Sequence, residues 1–334
     1  AGFAAVIAWL TPQGPGPLLT QALAGLYRIR AVRQGYAARE TRTALTALEI
    51  QCAPGSGLSG GERLVAHYGR WMVDAGQYGA HAADRRARRI AASEYPGVSP
   101  AVSRGIAEYT LGWSRFWLGD LKRAKAHLER AVASWQESEA DTVAWLTCER
   151  YREAAIAYAS MIDVLEGRVR DGYRRSAQAV EDLEGTPYQN SRLFLQCMRM
   201  SMGFWSGEAE RSLAIAQEVV RESTMQGLVL WGIFARAVAA WAAVRTGRLR
   251  PRRGHARIRR ALREIRGVWR FGAGFVYLLD LDTAAHAPGA LRPAVGCAHA
   301  HLQRHGIRLF RPELQRWRPG RRARRRPRWR RNPL

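Results

Sequence analysis

Seven glycines, Gly35, Gly76, Gly119, Gly167, Gly207, Gly247 and Gly289, recur at spacings of 41, 43, 48, 40, 40 and 42 residues. Each divides two apolar, helix-like runs. With 32 glycines in the chain, one of them means little; what constrains the fold is that other small residues keep step. Five residues after the glycine stand Ala124, Gly172, Ser212 and Ala294. Twelve after it stand Ala131 and Ala179, and seven before it Gly69, Gly112, Ser160 and Ala240. In Tyr109–Trp135 the logic is plainest. Gly119-Asp120 is the turn, Gly112, Ala124 and Ala131 let two helix backbones approach, and Leu111, Phe116 and Leu128 fill the seam around them. A hairpin of this kind has an apolar face that it cannot bury alone and must stack on copies of itself.

The offsets of Leu111-Gly112, Ala124, Leu128 and Ala131 match the tetratricopeptide pattern. The expected fold is all-α: about seven helical hairpins stacked as a right-handed superhelical solenoid with a concave groove. Residues 1–17 read as the end of a preceding segment and a linker, 18–320 as the repeat domain and 321–334 as an arginine-rich disordered tail. The chain starts at Ala1 without Met, which suggests a piece of a longer protein. The hairpins are expected at Leu18–Gln34 with Ala37–Cys52, Glu62–Ala75 with Tyr78–Ser93, and Tyr109–Trp135. Then follow Thr142–Glu166 with Arg170–Leu183, Asn190–Trp205 with Glu208–Ser223, and Leu228–Thr246 with Gly254–Val268. The last pair is Phe271–Ala287 with Ala290–His305, and Phe310–Arg318 is a short cap.

Hydrophobic residues make up 47% of the 334-residue chain, enough for a continuous core. No apolar run approaches the ~18 residues of a membrane span, so no membrane partner is expected. Cys52, Cys148, Cys197 and Cys297 lie far apart in apolar runs and read as free, buried thiols in a reducing cytoplasm. Of the formal net charge of +25, residues 245–334 carry +21, from 25 arginines against Glu264, Asp280, Asp282 and Glu313, leaving +4 for residues 1–244. Arg316–Leu334 holds ten arginines and no acid, with Trp317 and Trp329 interleaved. Such a stretch offers sequence-independent affinity for phosphates by counterion release; it also resembles GC-rich DNA translated out of frame.

Several stretches resemble a known family: Gln34–Cys52 (QGYAARETRTALTALEIQC), Phe116–Val132 (FWLGDLKRAKAHLERAV), Gly227–Arg248 (GLVLWGIFARAVAAWAAVRTGR) and Gly306–Gly320 (GIRLFRPELQRWRPG). They are similar to the C-terminal repeat region of bacterial signalling proteins that carry a class III nucleotide cyclase domain and an AAA-type ATPase. Repeat regions of maltose-regulator-type transcription activators are similar too. The family's turn G-R-x-E-E-G becomes GRLRPRRGHAR after Gly247, with two extra residues and arginines in place of acids. No catalytic motif of the family is matched.

Three patterns bear on chemistry. Leu58–Glu62 (LSGGE) matches the signature of ABC-type ATPases. The phosphate loop it needs is absent, so it reads as a loop capping the helix from Glu62. Cys297, His301 and His305 share a helix face at i, i+4, i+8 and could present ligands to zinc or copper, but no carboxylate or further cysteine completes the set, so the stretch reads as a surface histidine cluster on the last repeat helix. Glu137, Glu139 and Asp141, and Glu181, Asp182 and Glu184, read as solvated helix ends.

The expectation is therefore a non-catalytic, cytoplasmic sensor or scaffold with no cofactor. Its groove would receive a protein partner or small ligand and bias upstream ATPase or cyclase domains of the same polypeptide. The alternative is the repeat sensor of an ATP-dependent transcription regulator, with nucleic acid touched only through the arginine-rich tail.

Overall fold

A computed structural model describes residues 2–14, 16–36, 38–51, 59–135, 141–144 and 149–317. The tail from residue 318, Cys52, Cys148, the loop before Ser59, and Glu137 and Glu139 lie outside them. Among the described residues the chain is all-helical, with no strand.

A helix α1 (Gly2–Leu10) and a 3-10 turn at Thr11–Gln13 lead into α2 (Pro17–Gln34) and α3 (Arg39–Gln51). Then come α4 (Gly60–Tyr78) with α5 (Ala80–Ala92), and α6 (Pro100–Trp117) with α7 (Leu121–Ser134). Next are α8 (Tyr151–Leu165) with α9 (Val169–Glu181), and α10 (Gln189–Ser206) with α11 (Ala209–Gln226). The series ends with α12 (Val229–Arg245) and α13 (Pro251–Val268), α14 (Ala273–Ala284) and α15 (Leu291–Arg304), and a short α16 (Arg311–Arg316). Proline opens α2, α6 and α13 within the first two positions, where its missing N–H leaves no helix bond unmade. Ser59 and Glu62 close α4 with a reciprocal capping box; the LSGGE serine and glutamate are thus engaged with each other. α1 packs on α2.

Each second helix packs on the first helix of its own hairpin and on that of the next, and successive first helices from α8 to α14 also touch. Burial follows. Two first helices are enclosed nearly all round: every residue of α14 is buried, and twelve of the fifteen in α8. Second helices bury one stripe, as in α7, where only Ala124, Leu128 and Ala131 are buried. α14 therefore has to bury Asp280 and Asp282. Asp280 is met by His255 at 3.2 Å and Arg259 at 3.5 Å from α13. Asp282 accepts a 2.8 Å bond from the Trp241 indole N–H of α12.

Small residues occupy the tightest seams. A side chain at Gly112 would run into Leu128, one at Gly172 into the Ser160 carbonyl, and one at Gly203 into Ser212. Gly254 sits against Val244 and Ala240 of α12. Ala131 is fully buried. Ala131→Leu should overpack the α6–α7 seam and lower unfolding free energy by about 1–3 kcal/mol, readable by urea denaturation; an unchanged midpoint would place that face in solvent.

Two expectations need correction. Gly76 is not a turn residue. α4 runs on to Tyr78, and the turn is Gly79, with φ +87°. Gly76 is instead buried in the last turn of α4, where its carbonyl accepts from the Phe271 N–H at 3.2 Å. The spacings around it become 44 and 40. Nor do residues 142–166 form one helix. Residues 141–144 are helical, but the chain leaves helical geometry at Glu149 and Arg150 before α8 begins. Tertiary bonds hold the break: Arg150 N–H donates to Ser191 Oγ at 2.9 Å, and its guanidinium grips Glu153 and Asp141. Gly35, Gly119, Gly167, Gly207, Gly247 and Gly289 all have positive φ and lie at turns.

The C-terminal segment returns to the first hairpins. Ala80 N–H donates to the His305 carbonyl at 2.9 Å, and Arg308 and Leu309 N–H donate to the Trp117 carbonyl at 3.0 and 3.2 Å. Val268 lies so close to Gly35 that a side chain there would overlap it. α12 touches α2 as well.

Candidate functional site

Three places in this framework could carry chemistry. The first is the interior faced by the first helices. Trp117, Tyr158, Phe194, Trp231 and Phe275, from α6, α8, α10, α12 and α14, line one apolar space. Leu309 and Phe310 from the returning segment close it, the Phe310 ring standing edge-on to Trp117 at 5.6 Å. The remaining cavity is about 40 Å³, room for a water molecule or two and well short of the ~300 Å³ at which small-molecule pockets begin. The side of the helices expected to form an open groove is filled here by the chain's own aromatic residues.

The second is a carboxyl group among phenols. Glu149 accepts a 2.5 Å bond from Tyr36 Oη, and the Tyr68 and Tyr151 hydroxyls bond to each other beside it. Burial pushes the Glu149 carboxyl above its usual range. The same burial, with Glu149 close by, pushes the phenols of Tyr36, Tyr68, Tyr109 and Tyr151 well up. These groups come from the turn after α2, from α4, α6 and the start of α8. They tie the first hairpins to the break before α8, and that polar anchorage accounts for them without a reaction.

The third is an open cleft of about 430 Å³ between the ends of α13 and α15. Arg263, Arg266 and Arg270 line one side, and His301, Arg304 and His305 the other. The two imidazoles lie 4.5 Å apart, and His301 also rests on Tyr277 at 4.8 Å. Burial, reinforced by neighbouring charge, holds both rings neutral: His301 is lowered to about 3, with His305 and Arg266 adding to the effect, and His305 to about 4, with Arg304 and Arg270 adding.

The histidines are not a surface cluster, since His305 is buried, and the metal triad does not assemble either. His301 and His305 meet, but the Cys297 thiol lies against Arg259 of α13. Among the described residues no three of His, Cys, Asp or Glu are grouped to hold an ion. Cys197 is buried and its thiol pushed well up by that burial. Glu181, Asp182 and Glu184 are exposed, and Asp141 pairs with Arg150 at 2.6 Å. Trp317, within the cap expected at Phe310–Arg318, packs on the core. Among the described residues no helix is long and apolar enough to cross a membrane.

No family model and no curated protein matches this chain.

The arginine cleft had a signal in the sequence that the net-charge reading passed over. Arg263, Arg266 and Arg270 are spaced i, i+3, i+7, and the one acid among them, Glu264, stands four residues from Arg260 and bonds to it. What no spacing reveals is that the end of α15 would be set opposite them.

Proposed function

We propose that the chain is a non-catalytic binding region built of tetratricopeptide-like hairpins in a right-handed superhelix, acting as the sensor or scaffold part of a bacterial ATPase/cyclase signalling protein in the cytoplasm. The observation that carries the repeat reading is the division of labour among helices. First helices share one interior, and amphipathic second helices cover them outside. Hairpins that each need a neighbour form an array whose ends and turns are free to receive partners. With the interior filled by Leu309 and Phe310, a partner or ligand would act from the outer surfaces, or by displacing the returning segment. Communication with upstream ATPase or cyclase domains then runs through the packing of successive hairpins.

The test is to sequence the gene on the 5′ side of the Ala1 codon and assay the encoded polypeptide. An ATPase or cyclase segment is expected, with an activity that changes severalfold when residues 18–320 are deleted, while the isolated chain turns over no ATP. A winged-helix domain in its place would instead make the chain the repeat sensor of a transcription regulator. ATP hydrolysis by the isolated chain, lost in Ser59→Ala, would overturn the non-catalytic reading.

A further inference from the structure

We infer that the cleft between α13 and α15 is a binding site for the phosphate group of a small anionic ligand, held by Arg263, Arg266, Arg270 and Arg304 over a floor formed by His301 and His305. The site is independent of whether the chain serves an ATPase, a cyclase or a transcription regulator.

The first argument is the pairing of arginines. On the same helix, Arg259 reaches Asp280 and Arg260 reaches Glu264. Arg263, Arg266, Arg270 and Arg304 make no ion pair and no side-chain hydrogen bond among the described residues, and no acid lines the cleft. Four guanidinium groups thus converge on one open space with their donors unused. Like charges so placed repel, and a bound anion would relieve that repulsion.

The second argument is the floor. His305 is only 4% exposed, and its Nδ1 has no hydrogen-bond partner; nor does Nε2 of His301. A buried polar nitrogen without a partner is a standing cost, and both rings line the cleft. Backbone contacts set the position of His305: its carbonyl accepts from Ala80 N–H and its own N–H donates to the His301 carbonyl at 3.1 Å. Neutral imidazole can donate to a phosphate oxygen or accept from a protonated one.

The shape and charge select the class. A single carboxylate is satisfied by one guanidinium fork, whereas a phosphate has enough acceptor oxygens for several. A cleft of about 430 Å³ lies within the ~300–1,000 Å³ range of small-ligand sites. A duplex backbone needs only an exposed basic surface and would have no use for a concave floor of buried histidines.

The experiment is calorimetric titration of the full chain at constant ionic strength with pyrophosphate, and separately with glucose 6-phosphate, to learn whether the free anion or a phosphate ester is preferred. One saturable site is expected for at least one of them. Arg266→Gln/Arg270→Gln should weaken it at least tenfold, while Arg257→Gln/Arg292→Gln, the same charge change at exposed positions outside the cleft, should stay within twofold. All four arginines are exposed, so the variants should keep the parental circular dichroism. Absence of saturable binding to both probes would overturn the proposal. So would equal losses in the two double variants, which would reduce the effect to net charge. Tight binding of a 20-base-pair duplex that is indifferent to Arg266→Gln/Arg270→Gln, with pyrophosphate not competing, would mark a nucleic-acid surface instead.

Discussion

Gly79→Ala is expected to cost about 2–4 kcal/mol of unfolding free energy. Gly79 sits at φ +87° and ψ −166°, a region essentially confined to glycine that costs an L-residue about 1–3 kcal/mol. An added Cβ would also overlap the His305 carbonyl oxygen, and the atom it meets is backbone, which cannot swing aside. Relieving that overlap separates the seam, forfeiting the Ala80–His305 hydrogen bond, worth about 0.5–1.5 kcal/mol, and loosening the packing around it. Gly289→Ala is the control. Its φ is +78°, yet nothing lies within 4 Å of its would-be side chain, so the backbone term alone, about 1–2 kcal/mol, should appear. Equal losses in the two variants, by urea denaturation, would mean that the returning segment does not press on the α4–α5 turn in solution.

A second large effect should appear on mild acidification. His301 and His305 are held near 3 and 4 in the fold and return to about 6.5 when the chain unfolds. Their folded values lie below their unfolded ones, so the unfolded chain takes up protons first. The stabilisation from these neutral rings is complete above pH 6.5 and is lost as pH falls through 6.5 toward 4. Two pH units correspond to about 2.7 kcal/mol for each wholly neutral histidine; screening at the open cleft leaves about 2–3 kcal/mol for the pair. His67 and His81, also lowered, act in the same direction. Glu149 and Asp280, raised by burial, oppose it, because the folded state there takes up the proton first. Comparing the chain with His301→Phe/His305→Asn between pH 7 and 4.5 isolates the pair. The double variant should lose about 2–3 kcal/mol less over that interval, and parallel pH profiles would show that the two rings are already solvated.

Glu149 and Gly79 show where reading along the chain stops. A carboxylate in an apolar run is legible as an oddity. That it enters a group of tyrosines from the turn after α2, from α4 and from α6 depends on residues such as Tyr36, 113 positions away. Gly76 and Gly79 are both plausible turns on local grounds. The choice falls to Gly79 because the chain there must pass under the backbone at His305, while Gly76 serves as the landing place for Phe271. The metal triad did not form for a related reason: spacing set Cys297, His301 and His305 on one stripe, but α13 brought Arg259 to the thiol.

The all-α class, the hairpin order and most helix limits were determined by the sequence itself. They depend on interactions within about forty residues: period 3.6 apolar stripes, proline at helix starts, glycine at turns, and small residues at offsets that bring neighbouring helices into contact. The closing of the C-terminal segment onto the first hairpins, the aromatic filling of the interior and the setting of Arg304 and His305 opposite Arg263, Arg266 and Arg270 were decided only by the tertiary structure. Each sums small rotations and translations over several hairpins. A shift of a few ångströms in any one of them would leave every local pattern intact and send the returning segment past its seam.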